Sequence, residues 1–480
     1  MNIMIIGVGY HANRIYLPII GHFEKTLNVK LKIAIDLITE EIKVKQFLRT
    51  NNFNDVFFQG VTQSNENISK EATQKLKNLI KKHQIQSVII SCTAIHHKKY
   101  ILFAIENNLN ILVDKPITIT ENASISLKNA KSIWSDYCEI KHKYILALTK
   151  NPNLIFSCQA QRRYHPAIDL IQEKINETYE LTKYAPNSIF CHYSDGQWRM
   201  PEELIKEDYH GFNQGIGMLS HSGYHFFDTS LLYLKKIINQ IDSFEVFTNA
   251  IKPHDFIYHF PVENYPNIFH DYSNKYKENN QVLMKKSNQQ GEMDCHVNIA
   301  VKSNHFTRCN IGLTLLHNGF SKRSWLISRD DLYKNNGRVR HETHVINQGP
   351  FQTIYYSSLQ SEQNNEPDFF DDQFIDGKHH SEVIIFRNTK MLGKKENTVS
   401  KYSFSHANLG IVQGHQEYAR QLCIEEFLLA VLKQACNTQM KSTFFSHELS
   451  VLTLSMAHRS IVQRIKHKNP VINESLNIEK

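Results

Sequence analysis

The sequence predicts an α/β domain built on a parallel sheet, followed by an α+β domain whose sheet is mostly antiparallel. Short apolar runs and helical patterns take turns from Met1 to residue 160, an order that calls for parallel, doubly wound strands. Between residues 240 and 410 the pattern changes to alternating apolar segments, Val297–Val301, Arg308–Leu315 and Val383–Phe386, as in antiparallel strands. A chain of 480 residues also exceeds what one core ordinarily holds. The expected boundaries are 1–160, 161–470 and a loose tail at 471–480.

Ile3–Ile6 opens the chain as a buried strand and runs directly into Gly7-Val8-Gly9-Tyr10-His11-Ala12. Ile15, Leu17, Ile19 and Ile20 then mark a helix. G-x-G-x-x-A between a strand and a helix is a dinucleotide fingerprint with alanine in the third place. Gly7 permits the tight turn, Gly9 lets the backbone approach a pyrophosphate, and Ala12 keeps the helix close to the strand. The helix N-terminus offers its free N–H groups to the phosphates. The next strand, Val29–Ile35, ends in Asp36, 24 positions past Ala12. A carboxylate there accepts from a ribose 2′-OH and repels a 2′-phosphate, which favours NAD over NADP. A turn or helix-capping aspartate is the competing reading.

Asn51–Asn67 is polar and asparagine-rich, and reads as a surface loop. Glu71–His83 places Ala72, Leu76, Leu79 and Ile80 on one helical face. Strand Ser87–Ile90, helix Lys98–Asn107 and strand Ile111–Val113 follow, then a helical excursion over 121–148 and a last strand at Leu154–Gln159. Pro116 lacks an N–H and ends regular pairing, leaving Lys115 extended at the strand's end. Ligands of open parallel sheets sit beyond the carboxyl ends of strands, so Lys115 is a candidate cation for such a site.

The charge balance, 55 basic against 47 acidic residues, is mild and scattered, which argues against nucleic acid as a partner. Eight cysteines without a C-x-x-C suit buried thiols in a reducing compartment. No stretch approaches 18 uninterrupted apolar residues, and only Met1 and Asn2 precede the first apolar run. No membrane span or signal peptide is expected, and the location read from this is cytoplasmic.

Five segments together resemble the glucose–fructose oxidoreductase/inositol dehydrogenase (Gfo/Idh/MocA) family of Rossmann-fold oxidoreductases. They are GVGYHA; VIISCT followed by His97; VDKP; QRRYHPAIDLI (Gln161–Ile171); and GIGMLSHSGYHFFDTSLLYL (Gly215–Leu234). The resemblance implies hydride transfer between a nicotinamide and a sugar-like or cyclic alcohol. It assigns Gly7, Gly9, Tyr10, His11, Ala12, Asp36, Cys92, Thr93, His97, Asp114 and Lys115 to the cofactor, and it places Lys115, His225 and His221 at the chemistry. Arg163, Tyr164 and His165, at the start of the second domain, could touch substrate or simply pack there. Trp198 and Arg199, in the loop before the Gly215–Leu234 motif, are contact candidates. Three positions depart from the family pattern: Asp114 stands for Glu, Thr93 for Pro, and His221 for Asp.

Helical spacing from Ser220 on puts His221 and His225, four apart, on one face with Asp228 close to it. Such a pair can bind zinc, but the Glu of H-E-x-x-H is missing and no third ligand presents itself, so no metal is expected. Removing hydride from a carbinol carbon makes its hydroxyl acidic, and His225 suits the role of proton acceptor. Lys115 would stabilise the developing alkoxide, while His221 lacks the anionic charge of an aspartate.

Residues 264–290 and 358–380 are long polar stretches read as insertions, and Asn335-Asn336-Gly337-Arg338 reads as a turn. Gln416–Lys433 and Ser446–Gln463 are amphipathic helices. The leading expectation is an NAD-dependent dehydrogenase or reductase, NADP being the less favoured coenzyme, acting on a sugar, nucleotide-sugar, inositol or related alcohol. Its expected partners are a small-molecule substrate and, by the resemblance, a second copy of the chain in a homo-oligomer. A redox-cycling lyase or glycosidase and a non-catalytic NAD-binding sensor are the alternatives.

Overall fold

A computed structural model describes residues 1–62, 68–196, 205, 211–264, 267, 279–321, 338–362, 380–395, 397–404, 415–433 and 440–476. The chain forms two compact units, each drawn from several segments. The first comprises Met1–Ile119, Trp134–His165 and Ala407–Val451; the second comprises Thr120–Ile133, Pro166–His406 and Leu452–Lys480.

In the first unit six strands form one parallel sheet: β1 (Asn2–Ile6), β2 (Lys30–Leu37), β3 (Phe57–Val61), β4 (Ser87–Ile90), β5 (Asn110–Asp114) and β6 (Phe156–Gln159). Their order is β3-β2-β1-β4-β5-β6, so the winding reverses between β1 and β4. Ile3, Ile5, Ile89 and Leu112 are fully buried, as befits strands covered on both faces. Leu17, Ile19, Ile20 and Phe23 of helix Leu17–Leu27 pack against this sheet. Ile424, Phe427 and Leu428, from helix His415–Lys433, belong to the same cluster. A linear boundary at residue 160 leaves these out, because nothing in the sequence announces that a distant helix returns to the first core. Phe444 also returns, stacking on Phe156 at 4.5 Å and Tyr137 at 4.6 Å.

β3 corrects the expected Asn51–Asn67 loop. FFQGV is only five residues long, Phe57 is exposed at the sheet edge, and the flanking asparagines hide its pattern. Helix Glu41–Thr50 likewise adds an element that the sequence reading left out.

The second unit holds a nine-stranded sheet: β7 (Ser188–Ser194), β8 (Ser243–Ile251), β9 (Asp294–Ser303), β10 (Phe306–Leu316), β11 (Arg338–Gln348), β12 (Gln352–Glu362), β13 (His380–Arg387), β14 (Val399–Ser403) and β15 (Ile472–Ser475). Its order is β14-β13-β12-β11-β7-β10-β9-β8-β15, and only β7 and β10 pair in parallel. Helix Tyr224–Leu232 covers one face, with Phe226 against Tyr193 of β7 at 5.0 Å. On the other face Phe190, Val345, Tyr355 and Ile384 line up across β7, β11, β12 and β13, and Phe190 and Tyr355 are exposed. β15 lies in the stretch expected to be a loose tail: it pairs with β8, and Ile472 is buried. Of the expected turn, Asn335–Gly337 fall outside the described residues, and Arg338 opens β11.

Among the described residues no helix is long and apolar enough to cross a membrane. The described cysteines are all free, most of them buried, and Cys436 falls outside the described residues.

Candidate functional site

The cofactor candidates of the first unit gather at the carboxyl ends of four adjacent strands. Gly7, Gly9, Tyr10, His11 and Ala12 follow β1, and Asp36 is the second-to-last residue of β2. Cys92, Thr93 and His97 follow β4, and Asp114 and Lys115 end β5. The reversal between β1 and β4 opens a crevice at this point of the sheet.

Gly7 has φ +87°, and a Cβ there would collide with the backbone of Cys92, so only glycine fits. Gly9 has open space on its Cα, leaving room for a pyrophosphate to approach the backbone. The chain then enters a π-turn, Ala12–Tyr16, before the α-helix proper. Asp36 is built into the turn as well: Oδ2 accepts from Val8 N at 2.6 Å and Oδ1 from Leu37 N at 2.7 Å. Each oxygen keeps a further lone pair, so a ribose hydroxyl could still donate to it. The turn-aspartate and ribose-acceptor readings are therefore compatible. Tyr10 is exposed, its ring 5.5 Å from Phe47 and capped by the Lys43 ammonium at 4.7 Å.

Lys115 is half-buried, and its ammonium is pushed down to about 8, chiefly by burial. Arg162 and Arg420 add to the effect, while the Asp114 carboxylate opposes it. Asp114 accepts a short hydrogen bond from the Tyr16 hydroxyl and lies 3.9 Å from His11 Nε2. Burial pushes His11 down to about 4 despite that carboxylate, with nearby Arg420, Arg14 and Lys115 acting the same way. His97 is fully buried, with Nδ1 2.9 Å from the Pro116 carbonyl and Nε2 3.1 Å from the Cys92 carbonyl. Burial lowers its pKa, and a neutral imidazole carries a single N–H, so it donates to one of these two carbonyls. Lys115–Pro116 is a cis peptide. Burial raises the Cys92 thiol to about 12, so it is no nucleophile at neutral pH.

Arg163 and Tyr164 are committed elsewhere in the first unit. Arg163 donates to Lys441 O at 2.8 Å and to Ser446 O at 2.9 Å, and Tyr164 donates to Glu426. Both are buried, and they anchor the returning C-terminal segment. His165 lies with Nε2 2.6 Å from His415 Nδ1. Trp198 and Arg199 fall outside the described residues.

In the second unit the Gly215–Leu234 motif departs from a plain helix. Leu219–Gly223 is a π-turn, and the α-helix begins at Tyr224. Bonding from i to i+5 widens the turn, so His221 and His225 do not stack as four-apart residues of an α-helix would. His225 and Asp228 are buried and His221 is half-buried, with its Nδ1 2.9 Å from Ser222 Oγ. A buried network fixes the turn. Glu292 Oε1 accepts from Leu219 N at 3.0 Å, and His458 lies 2.9 Å from Ser220 Oγ and 3.0 Å from Ser124 Oγ. Ser124 also donates to Glu292. Burial lowers the His458 pKa. Tyr16, Ser124, Glu292 and His458 were not legible as site residues, since their partners are remote in sequence. Among the described residues no cluster of three or more His, Cys, Asp or Glu could hold a metal ion.

Residues 1–134 match the family model described as oxidoreductase family, NAD-binding Rossmann fold. No curated protein matches the chain in sequence. Among solved structures, an oxidoreductase from Agrobacterium radiobacter, in complex with NAD+, L-tartaric acid and magnesium, is 10% identical with a TM-score of 0.56. That match covers 99% of this chain and 98% of that one. The apo scyllo-inositol dehydrogenase of Lactobacillus casei is 11% identical, with a TM-score of 0.52 and 98% of each chain covered. A 3-ketoreductase from Actinomadura kijaniata, in complex with NADP and TDP-benzene, is 12% identical with a TM-score of 0.54, covering 95% of this chain and 96% of that one. At these identities the likeness is one of fold. The glycine turn, the parallel sheet and its switch point agree with the match of residues 1–134 to the Gfo/Idh/MocA oxidoreductase family model, an NAD-binding Rossmann fold.

Proposed function

We propose that the protein is an NAD-dependent oxidoreductase acting on a sugar, nucleotide-sugar, inositol or similar cyclic alcohol, with Lys115 and His225 working on the reacting hydroxyl. The state of Lys115 carries this reading. A solvated surface lysine keeps its ordinary pKa, whereas this one, at a strand end beside the sheet's switch point, is pushed down to about 8. A bound nicotinamide coenzyme supplies the hydride acceptor or donor. Lys115 would donate a hydrogen bond to the substrate oxygen as alkoxide charge develops, and His225 would take the hydroxyl proton. His97, braced against the Pro116 carbonyl, keeps the segment after Lys115 in place. Asp36, already fixed by two backbone N–H groups, would accept from the ribose and repel a 2′-phosphate, which favours NAD. The apolar row of Phe190, Val345, Tyr355 and Ile384 on the open sheet face supports a homo-oligomer, which sedimentation measures directly.

The test is a panel of polyols, sugars, sugar acids and nucleotide sugars, assayed for NADH formation with the wild type, Lys115→Ala and His225→Asn. Each variant should lose about a hundredfold to a thousandfold in kcat while still showing a thermal shift with NAD. Full activity in Lys115→Ala refutes the assignment. Turnover without net NADH points instead to the redox-cycling reading, and NAD binding without turnover on any substrate points to the sensor.

A further inference from the structure

Ser220, the residue before His221, does not spend its hydroxyl as the later hydroxyls of the same motif do. Thr229 and Ser230 donate to the carbonyls four residues back, His225 O at 2.7 Å and Phe226 O at 2.6 Å, the usual fate of a hydroxyl inside a helix. Ser220 Oγ instead meets His458 Nε2 at 2.9 Å. The other ring nitrogen, Nδ1, lies 3.0 Å from Ser124 Oγ, and Ser124 hydrogen-bonds to the Glu292 carboxylate. These four side chains come from distant parts of the second unit's sequence, and none is more than 3% exposed.

The protons of this chain can run in one direction. A carboxylate only accepts, so the single Ser124 hydroxyl proton goes to Glu292. Ser124 Oγ then has only lone pairs to offer His458, which places a hydrogen on Nδ1. Burial lowers the His458 pKa, with Lys252 acting the same way and Glu292 opposing, so the ring is neutral and carries that one hydrogen. Nε2 is left as an acceptor, and Ser220 must donate to it. Glu292 is itself laced to the start of the motif: Oε1 accepts from Leu219 N at 3.0 Å, and the Glu292 carbonyl accepts from Met218 N at 3.0 Å. A Cβ at Gly217 would collide with the Glu292 backbone and one at Gly291 with Ile216 O, so the two segments lie backbone to backbone.

We propose that Ser220, His458, Ser124 and Glu292 form one directed hydrogen-bond chain, every proton pointing toward the Glu292 carboxylate, and that this chain positions the turn that carries His221 and leads into His225. Met218, Leu219 and Ser220, three successive residues, are each held by Glu292 or His458. A serine hydroxyl left to itself bonds back to a carbonyl of its own helix and bends it; drawing the Ser220 proton to His458 prevents that. The four are positioning residues, acting on the imidazoles through the turn. Their effect on turnover rests on the proposed function; the direction of the chain does not.

Neutron diffraction from crystals of the perdeuterated wild type reads the direction without any variant. Deuterium is expected on His458 Nδ1, on Ser124 Oγ toward Glu292 and on Ser220 Oγ toward His458, with Nε2 bare. Deuterium on Nε2 overturns the proposal. Glu292→Gln, the same shape with an amide donor in place of Oε2, gives the second reading. Its amide donates to Ser124, so the chain runs backward: Ser124 donates to Nδ1, and His458 carries its hydrogen on Nε2. Nitrogen-15 spectra of labelled histidine, with the His458 signal identified by its loss in His458→Gln, should show that exchange of tautomer. The Ser220 proton, released, should then compete for carbonyls of its own turn. With a substrate from the panel, kcat should fall about tenfold to a hundredfold while the NAD-induced thermal shift is unchanged. An unchanged tautomer, or a reversed one with kcat intact, overturns the proposal. If no substrate turns over, the proposed function fails, and the deuterium positions and the tautomer still decide whether the chain is directed as stated.

Discussion

Replacing or titrating Lys115 offers a direct check on the first unit without knowledge of the substrate. A fall of its pKa from 10.5 to about 8 corresponds to about 3 kcal/mol of unfavourable charge burial, after the attraction of Asp114 is included. At pH 7.5 about a quarter of the Lys115 side chains would be neutral amine, against about one in a thousand for an ordinary lysine. Competitive trace labelling with acetic anhydride from pH 6 to 11, followed by mass spectrometry of the Lys115 peptide, reads that fraction. The labelling midpoint should fall near pH 8. The same charge also enters the stability. Below pH 8 the folded protein bears the cost of the buried cation, and between about 8 and 10.5 the unfolded chain holds a proton that the folded one has released. Stability therefore rises with pH across that window. Lys115→Met should flatten the rise and, near pH 7, stabilise the protein by up to about 3 kcal/mol in urea unfolding while abolishing turnover. A labelling midpoint near 10, or a loss of stability in Lys115→Met, would refute the claim that this ammonium is held against its preference.

Gly7→Ala forces a Cβ into the Cys92 backbone at φ +87°, and should abolish NAD-induced thermal stabilisation while costing at least about 1–3 kcal/mol in folding. Asp36→Ser removes the anion that holds Val8 N and Leu37 N; fluorescence titration should show NAD binding weakened about tenfold or more and the preference shifted toward NADP. Phe427→Ala, in the helix that returns to the first core, should cost about 3–5 kcal/mol and lower the NAD-protected melting transition; an unchanged transition would remove that helix from the coenzyme-binding core.

Local physics was legible wherever an element's pattern and its function coincide. β4 was read from Ser87–Ile90 without error, because four apolar-compatible residues buried on both faces leave no ambiguity. The glycine turn was legible too, since a strand, two glycines and a helix follow one another in so few residues. β3 was lost because an edge strand carries little apolar signal. The π-turn at Leu219–Gly223 was read as α-helix because the residue pattern of the two hardly differs; what selects it is Glu292 at Leu219 N and His458 at Ser220, each far along the chain. Arg163 was read as touching substrate or simply packing, and its guanidinium is engaged by Lys441 and Ser446.

The return of Ile424, Phe427 and Leu428 to the first core also dictates an order of events during synthesis. A ribosome that has made the glycine turn and all six parallel strands must still translate Pro166–His406 before the missing side of that core emerges. At about 5–20 residues per second, that delay is roughly 10–50 s. Through that interval the nascent half-domain exposes the apolar surface those three side chains later cover, which makes it a natural client for a chaperone.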